Sequence, residues 1–300
     1  MKHTLTVSIF LILIFVVSQL IGLALIDRDA QISVSPTGEH VVTHGDTALG
    51  ERPAIQGGTT TVYIFSAIMI GTVLLLLIIR FKKMGLWKFW YFTAVWATLT
   101  VTFGVFLHPL IAGCLGLLFA LLKIFKPQVI IHNLTEIAMY SGIALLFVPL
   151  LNVFWMIIVL LLISVYDAYA VWKSKHMITM AKFTMESKLF AGLAIPYTQK
   201  KIISVAQPSK TGKGRTAILG GGDVAFPLMF SGVVMESLLR NGLTKASAYG
   251  FSLIVVLGAT AAVTYLLLRG EKGKFYPAMP FITTGCLIGY GIIALLQIIH

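Results

Sequence analysis

Long apolar segments separated by short polar ones run along the whole chain of 300 residues. A helix that crosses a membrane needs about 20 mainly apolar residues. The pattern predicts nine such helices, at residues 4–26, 60–79, 87–107, 110–122, 129–150, 153–172, 216–239, 246–268 and 278–299. These segments leave no polar stretch of domain size, so we predict a single all-α, polytopic membrane domain over residues 1–300.

The lengths of two apolar stretches require a break inside each of them. As single helices, residues 87–122 would be about 54 Å long and residues 129–172 about 66 Å long, whereas the hydrocarbon core is about 30 Å thick. Proline ends or kinks a helix because it lacks a donor and clashes with the preceding turn. We therefore place the breaks at His108-Pro109 and between Pro149 and Asn152.

Two longer polar segments connect the predicted helices. Residues 27–59 carry several acidic residues together with Pro and Gly, and we expect this segment to be partly disordered. Residues 173–215 form the largest loop on the opposite side of the membrane. An amphipathic helix that lies along the interface is predicted within this loop, at residues 177–195.

Composition supports the membrane assignment, and charge orients the chain. Hydrophobic residues make up 58% of the sequence and charged residues 11%, whereas soluble domains have about 25% charged residues. Nineteen of the 23 Lys and Arg residues lie on the side of the N-terminus, and four lie on the other side. Because basic residues mark cytoplasmic loops, we predict a cytoplasmic N-terminus and an outer C-terminus. The same rule explains the net charge of +12, and no nucleic-acid partner is expected.

Two aspartates, Asp167 and Asp223, lie inside consecutive predicted helices, the sixth and the seventh. An aspartate at the centre of a membrane helix costs about 2.5–3.5 kcal/mol on insertion scales. Asp167 lies about 9 Å along its helix from Lys173 at the inner end, and Asp223 lies about 12 Å along the next helix from Arg215. Both side chains are therefore predicted in the inner third of the membrane.

Two carboxyl groups that face each other do not both ionise easily, so such a pair shares one proton. One carboxyl then acts as a general base on a water molecule, while the other acts as a general acid toward a carbonyl oxygen. This is the working principle of an aspartic protease. The arrangement also suits a membrane, because the singly protonated pair carries one charge instead of two.

The residues around the aspartates form three motifs. Tyr166-Asp167 lies in the sixth helix, Gly220-Gly221-Gly222-Asp223 in the seventh, and Pro277-Ala278-Met279 opens the ninth. Glycines let another backbone approach a helix closely, and prolines leave carbonyl groups that can hold an extended substrate by strand addition. In order and position, the motifs resemble the Tyr-Asp, Gly-x-Gly-Asp and Pro-Ala-Leu motifs of the presenilin and signal-peptide-peptidase family of intramembrane aspartyl proteases.

The resemblance implies an endopeptidase that hydrolyses peptide bonds within the transmembrane helices of membrane proteins or peptides. It implies that Asp167 and Asp223 are the catalytic pair, and that neither a metal nor another cofactor takes part. It also implies a multi-pass protein of the cell membrane. The residues that would border the active site and the substrate are Tyr166, Gly220, Gly221, Gly222, Pro277, Ala278 and Met279.

Two departures from the family pattern leave substrate choice open. Met279 stands where the family has leucine, and Gly221 stands where leucine is common in presenilins. The cytoplasmic N-terminus and the short inner loop look like a compact archaeal or microbial presenilin homologue. A homo-oligomer is compatible with the sequence, which does not define the oligomeric state.

Two further acidic residues lie inside predicted helices. Glu236 precedes Arg240 by four residues, so a local ion pair is expected. The sequence assigns no role to Glu136, for which one option is an ion pair with an inner lysine such as Lys123 or Lys126.

Other functional classes fit the sequence less well. A secondary transporter would use the two aspartates for proton coupling, but transporters usually contain repeated halves, and neither aspartate motif recurs in the chain. A non-catalytic scaffold would leave two costly carboxyl groups without a purpose. His132 and Glu136 share a helix face, but a zinc site needs three or four ligands, and the sequence indicates no third.

Overall fold

The computed structural model describes residues 4–36, 38–81, 83–126, 128–174, 183, 189–197, 216–270 and 276–299. Within these residues the α-helices are α1 (Leu5–Asp29), α2 (Gly58–Arg80), α3 (Met84–Gly104), α4 (Pro109–Phe125), α5 (Val129–Phe147), α6 (Val153–Tyr169), α7 (Gly221–Arg240), α8 (Lys245–Arg269) and α9 (Met279–Ile299). A 3₁₀ turn, Val148–Leu150, follows α5, and a π-helical turn, Ala170–Ser174, follows α6. Two antiparallel strand pairs are present, β1 (Ala30–Val34) with β2 (His40–His44) and β3 (Gly192–Pro196) with β4 (Thr216–Gly220).

Seven of the described helices, all except α3 and α4, are long and apolar enough to cross a membrane. Helix α4 has only 17 residues, and α3 has 21 but is rich in Trp and Thr. The predicted helical membrane fold is therefore confirmed, with one described helix in each of the nine predicted segments. Nine membrane crossings and the orientation of the termini stay predictions.

Both predicted breaks are present in the structure. Helix α4 begins at Pro109, and the ring of His108 accepts the amide of Leu110 at 3.4 Å. Helix α6 begins after Asn152, whose side-chain oxygen accepts the amide of Trp155 at 3.0 Å. Proline at the first helical position and asparagine at the N-cap are both favourable helix starts.

The beginning of the seventh predicted helix, residues 216–220, is wrong, because these residues form strand β4. The strand pairs with β3 along its whole length. Thr216 and Ile218 are β-branched and favour a strand, and the glycines that follow weaken a helix. The helix therefore begins only at Gly221.

The predicted amphipathic helix at residues 177–195 is wrong at its end, because strand pairing with β4 makes these residues extended. Its last residues belong to strand β3. Most of the remaining residues of that prediction lie outside the described part of the chain.

The segment 27–59, which was expected to be partly disordered, contains the hairpin of β1 and β2. Gly38 adopts a positive φ of 82° in the turn, and its amide donates to the carbonyl of Ser35 at 2.8 Å. Alternating Val, Ile and Thr side chains favour strands on both sides of this turn.

Helix α7 is the most buried of the seven helices that could cross a membrane. It contacts α1, α5, α6, α8 and α9, and α1 passes so close that a Cβ atom on Gly22 would lie 2.3 Å from the side chain of Leu228. Helices α8 and α9 also cross closely, because a Cβ on Gly258 would lie 2.2 Å from the carbonyl oxygen of Gly285. These contacts fix α7 and α9, whose first turns carry two of the three sequence motifs.

An ionic cluster joins the β1–β2 hairpin to the helix ends beneath it. Nδ1 of His44 lies 2.7 Å from Asp29 Oδ2, and Nε2 lies 2.8 Å from Glu236 Oε1. The second contact is a close ion pair without good hydrogen-bond geometry. Arg52 also pairs with Asp29, and the expected pair of Glu236 with Arg240 is present at 3.0 Å.

The stability of this cluster is predicted to depend on pH through His44. Burial by itself lowers the pKa of His44, but the carboxylates of Asp29 and Glu236 raise it from 6.5 to about 9. Because the folded pKa is the higher one, the stabilisation is complete below pH 6.5 and is lost as the pH rises through about 9. The shift corresponds to about 3 kcal/mol.

Thermal unfolding of the purified protein between pH 6 and about pH 10 tests this prediction. The wild-type melting temperature is expected to fall steadily between pH 6.5 and about 9 and to level off above that pH, whereas that of His44→Gln is lower at pH 6 and changes little. His40→Gln, at the exposed end of the same strand, should behave like wild type. Parallel curves for wild type and His44→Gln would contradict the assignment.

Candidate active site

Asp167 lies near the C-terminal end of α6, where the helix changes to a π-helical turn. Its side chain is buried, and its Oδ2 atom accepts the backbone amide of Met279 at 3.1 Å. The amide of Ala278 also donates to this carboxyl group. Both amides are free for this contact because α9 begins at Met279, and the first N–H groups of a helix have no helical partner. The Pro-Ala-Met motif thus binds the aspartate of α6 through its backbone.

Asp223 is the third residue of α7 and follows directly after strand β4. Its carboxyl group folds back toward the N-cap residue, Gly220, whose amide donates to it. A Cβ atom on Gly220 would lie 2.9 Å from Asp223 Oδ2, so a side chain there would push the carboxyl group away. The N-terminal end of a helix also favours a negative charge. The turn from strand to helix therefore sets the position of Asp223.

The structure brings these two carboxyl groups to the same end of the helix bundle. Helices α6 and α7 are in contact, and Asp167 is close to the end of one while Asp223 is close to the start of the other. The charge of Asp167 acts on the carboxyl group of Asp223. Asp167 is buried and Asp223 is half-buried. Two carboxyl groups within electrostatic reach in an apolar bundle favour a state in which only one of them is ionised.

Tyr166, the neighbour of Asp167 in sequence, points in another direction. Its hydroxyl group forms a hydrogen bond with Oγ1 of Thr72 on α2, at 2.9 Å. The Tyr-Asp motif therefore connects α6 to α2 beside the aspartate.

The two remaining glycines of the motif have different surroundings. A Cβ on Gly221 would lie 2.9 Å from the hydroxyl oxygen of Tyr140, on α5. Gly222 is exposed, and a Cβ there would meet only the ring of Phe226 at an ordinary 3.5 Å. Close packing requires a glycine at 221, whereas the described contacts give no steric reason for one at 222.

Side chains of α5 hold the outer edge of strand β3. The amide of Gly192 donates to Glu136 Oε2 at 2.9 Å, and its carbonyl oxygen lies 2.8 Å from His132 Nε2. The amide and the carbonyl of Ala194 both bond to the side chain of Asn133, at 2.9 and 2.8 Å. These contacts occupy the backbone groups of β3 that point away from β4.

Strand β4 lies at the other side of this small sheet. Within the described ranges the sheet has two strands, so the second edge of β4 meets no third strand among them. This edge leads directly into Gly220 and Asp223. An unpaired strand edge is a template to which an extended peptide can add.

The expected partner of Glu136 is Lys123, whose Nζ lies 2.6 Å from Oε1. His132 Nε2 instead lies 2.8 Å from the carbonyl oxygen of Gly192. No group of three or more His, Cys, Asp or Glu residues comes together in the parts of the chain that the structure describes. The absence of a cofactor stays a prediction.

Strand β3 and the role of α5 in holding it were not predicted from the sequence. A signal was nevertheless present on α5, because His132, Asn133 and Tyr140 each lie three or four residues from Glu136 and therefore share its side of the helix. Such a polar stripe inside a membrane helix indicates a polar partner in the bundle.

One protein-family model and two solved structures are similar to this chain over most of its length. A family model described as signal-peptide peptidase, presenilin aspartyl protease, matches residues 12–299. A solved structure of a presenilin family intramembrane aspartate protease in space group C222 superposes with a TM-score of 0.59 at 16% identity, over 96% of this chain and 99% of that one. A second structure of a presenilin family intramembrane aspartate protease, in space group P2, superposes with a TM-score of 0.58 at 17% identity, over 95% of this chain and 96% of that one. No curated protein sequence matches significantly.

Proposed function

Because the chain belongs to the signal-peptide peptidase and presenilin aspartyl protease family, we propose that it hydrolyses peptide bonds within transmembrane helices, with Asp167 and Asp223 as the catalytic pair. The observation that carries this proposal is the convergence of the two carboxyl groups. They come from neighbouring helices, lie within electrostatic reach, and are each held by backbone amides.

The proposed reaction follows from the chemistry of a carboxyl pair that shares one proton. The ionised carboxylate takes a proton from a water molecule, whose oxygen attacks the carbonyl carbon of the scissile bond. The protonated carboxyl group gives its proton to the carbonyl oxygen, which leaves a tetrahedral diol. When the diol collapses, the carbon–nitrogen bond breaks and a proton passes to the leaving nitrogen. The two aspartates titrate as a unit, so the roles of base and acid belong to the pair.

The substrate has to be extended at the scissile bond, because the backbone hydrogen bonds and close packing of a helix keep water and the carboxyl groups away from its carbonyl carbons. We propose that the unwound segment adds to the edge of β4 that no other described strand covers, which leads to Asp223. On the other side of the pair, Pro277 and Ala278 precede α9 in non-helical backbone. Strand addition at these two places would lay the scissile bond between the carboxyl groups.

The location of the enzyme follows from its apolar helices and its charges. Seven described helices are long and apolar enough to cross a membrane, and the protein is a multi-pass membrane protein. The distribution of Lys and Arg supports nine crossings, a cytoplasmic N-terminus and a reaction in the cytoplasmic third of the cell membrane.

A cleavage assay with purified protein in lipid tests the proposed function. The substrate is a peptide with one transmembrane helix and charged flanks, and mass spectrometry of the products locates the cut. We expect a cut inside the apolar segment. No cleavage, or cleavage in the flanks alone, would contradict the proposal, and proton uptake without cleavage would favour a transporter.

A further inference from the structure

We call residues 220–223, which join β4 to α7, the glycine turn. A buried polar cluster beside this turn consists of Lys123, Glu136, Tyr140 and Tyr91, and we call it the Glu136 cluster. Glu136 is fully buried and Lys123 is 2% exposed. Glu136 Oε1 lies 2.6 Å from Lys123 Nζ and 3.3 Å from the hydroxyl of Tyr91. Its other oxygen accepts the hydroxyl of Tyr140 and the amide of Gly192.

Such a cluster is a costly way to hold helices together. A buried ion pair often contributes less stability than well-packed apolar side chains of the same volume. Leucine and methionine would therefore pack α4 against α5 at least as well. They would not, however, supply acceptors for the amide of Gly192 or for the hydroxyl of Tyr140.

The Glu136 cluster reaches the glycine turn by two routes. Along the first, Glu136 holds Gly192 at the start of β3, and β3 pairs with β4, which continues into Gly220 and Asp223. The carbonyl oxygen of Ala191 also accepts the amide of Gly221, at 3.3 Å. The strand that Glu136 anchors is therefore bonded to the turn that carries the aspartate.

The second route is a direct contact through Tyr140. Glu136 fixes the hydroxyl group of Tyr140, and this oxygen lies 2.9 Å from the place of a Cβ atom on Gly221. The Tyr140 ring is 2% exposed, so it has little freedom to move. Its hydroxyl group also lies within electrostatic reach of Asp223. Tyr140 thus fills the space beside Gly221 that a side chain at that position would need.

We propose that Glu136 and Tyr140 are positioning residues that hold the turn of Gly220 to Asp223 in its reactive geometry. The proposal rests on the proposed function, since it assigns a role relative to the Asp223 carboxyl group. Neither residue takes part in bond breaking. Each acts through the backbone of β3 or through the glycine turn, and loss of either moves Asp223 relative to Asp167.

The decisive variant removes the hydrogen-bonding atoms of the cluster without leaving a buried charge. Lys123→Met/Glu136→Leu replaces the ion pair by apolar groups of similar volume and leaves no buried charge without a partner. The melting temperature should fall only moderately, because the amide of Gly192 and the hydroxyl of Tyr140 lose their acceptor. We expect kcat on the transmembrane peptide to fall about 100-fold, because a misplacement of about 1 Å at a reacting group has an effect of this size. KM should change little, since the substrate-binding edge of β4 remains.

Tyr140→Phe is the second variant and removes a single oxygen atom. Its kcat should fall roughly tenfold, again with little change in KM, and its melting temperature should change little. Ser141→Ala is the matched control, because Ser141 is the next residue of α5, is equally buried, and bonds only to the Ile137 carbonyl of its own helix. This control should keep the wild-type kcat.

A third measurement asks whether Tyr140 acts on the turn directly. Gly221→Ala should reduce kcat, because its Cβ would lie 2.9 Å from the Tyr140 hydroxyl oxygen. In Tyr140→Phe/Gly221→Ala that oxygen is absent, and the nearest ring carbon lies at 3.1 Å. The loss in the double variant should therefore be smaller than the product of the two single losses.

The results separate this proposal from the proposed function. If the wild-type protein does not cut the peptide, the proposed function itself fails. If wild type cuts and both Lys123→Met/Glu136→Leu and Tyr140→Phe keep its kcat, the positioning role is overturned while the protease assignment stands. Losses of activity that simply follow losses of melting temperature would also overturn it, and Tyr140→Phe provides that comparison if the other variant does not fold.

Discussion

Asp167→Asn and Asp223→Asn are each expected to reduce cleavage of a transmembrane peptide by at least about 10³-fold to 10⁴-fold. Asparagine has the shape of aspartate but neither accepts the proton of water nor donates one to a carbonyl oxygen at neutral pH. The pair acts as a unit, so losing either member removes both functions. The double variant should be no worse than the single ones, because the losses of cooperating groups do not multiply.

Both variants should remain folded. A buried carboxyl group costs free energy even when it accepts hydrogen bonds, so replacing it with a neutral amide leaves the melting temperature unchanged or raises it. Asp46→Asn, in an exposed segment, is the matched control and should cleave like wild type. A folded Asp167→Asn or Asp223→Asn protein that cuts at the wild-type rate would exclude that residue from the catalytic pair.

Gly258→Ala is expected to have the second largest effect, although it lies in α8, outside the two motifs that hold the aspartates. Its Cβ atom would lie 2.2 Å from the carbonyl oxygen of Gly285, a backbone atom that cannot rotate away. The two helices must separate, at a cost of roughly 1–3 kcal/mol. Helix α9 carries the amide of Met279 that binds Asp167, so cleavage should also fall, by about 100-fold.

Gly250→Ala is the control for this change. It adds the same methyl group to the same helix, at a place where nothing lies within 4 Å of the new Cβ atom. This variant should melt and cleave like wild type. Equal melting temperatures and equal cleavage rates for Gly250→Ala and Gly258→Ala would show that the α8–α9 crossing does not support the site.

The lengths of the apolar segments and the positions of proline predicted the helices well, because both depend on local properties of the chain. The length of an apolar run and the missing N–H group of proline can both be read from neighbouring residues, without knowing which distant residues are in contact. Strand β4 was missed because its residues are apolar enough to continue α7, and only pairing with β3 makes them extended. That pairing depends on α5, which is more than 50 residues away in sequence from β3.

In the candidate site too, local features could be predicted from the sequence, whereas contacts between distant residues could not. Asp167 and Asp223 could be proposed as a pair from their depth and their flanking motifs, because a carboxyl group in a membrane helix is costly. The bond between Met279 and Asp167 could not be predicted, because it depends on how α9 starts against the end of α6. Likewise, Glu136 was expected to pair with a lysine, but its hold on the amide of Gly192 depends on the fold around β3.

Gly221 and Met279 differ from the motifs that the sequence resembles, so substrate choice does not follow from the family alone. Gly221 has no side chain, and Tyr140 of α5 occupies the space that a side chain at this position would need. The space beside Gly221 therefore depends on two elements of the chain, α5 and the start of α7, that are far apart in sequence.

The most direct test of the paired-carboxyl proposal is the affinity of a transition-state analogue. The probe is a transmembrane peptide in which the scissile amide is replaced by a tetrahedral carbon that bears a hydroxyl group. We predict that it binds wild-type protein at least about 100-fold more tightly than the parent peptide. Asp167→Asn and Asp223→Asn should each abolish that gain while still binding the parent peptide. Equal affinity of the analogue for wild type and both folded variants would contradict the proposal that these two carboxyl groups form the active site.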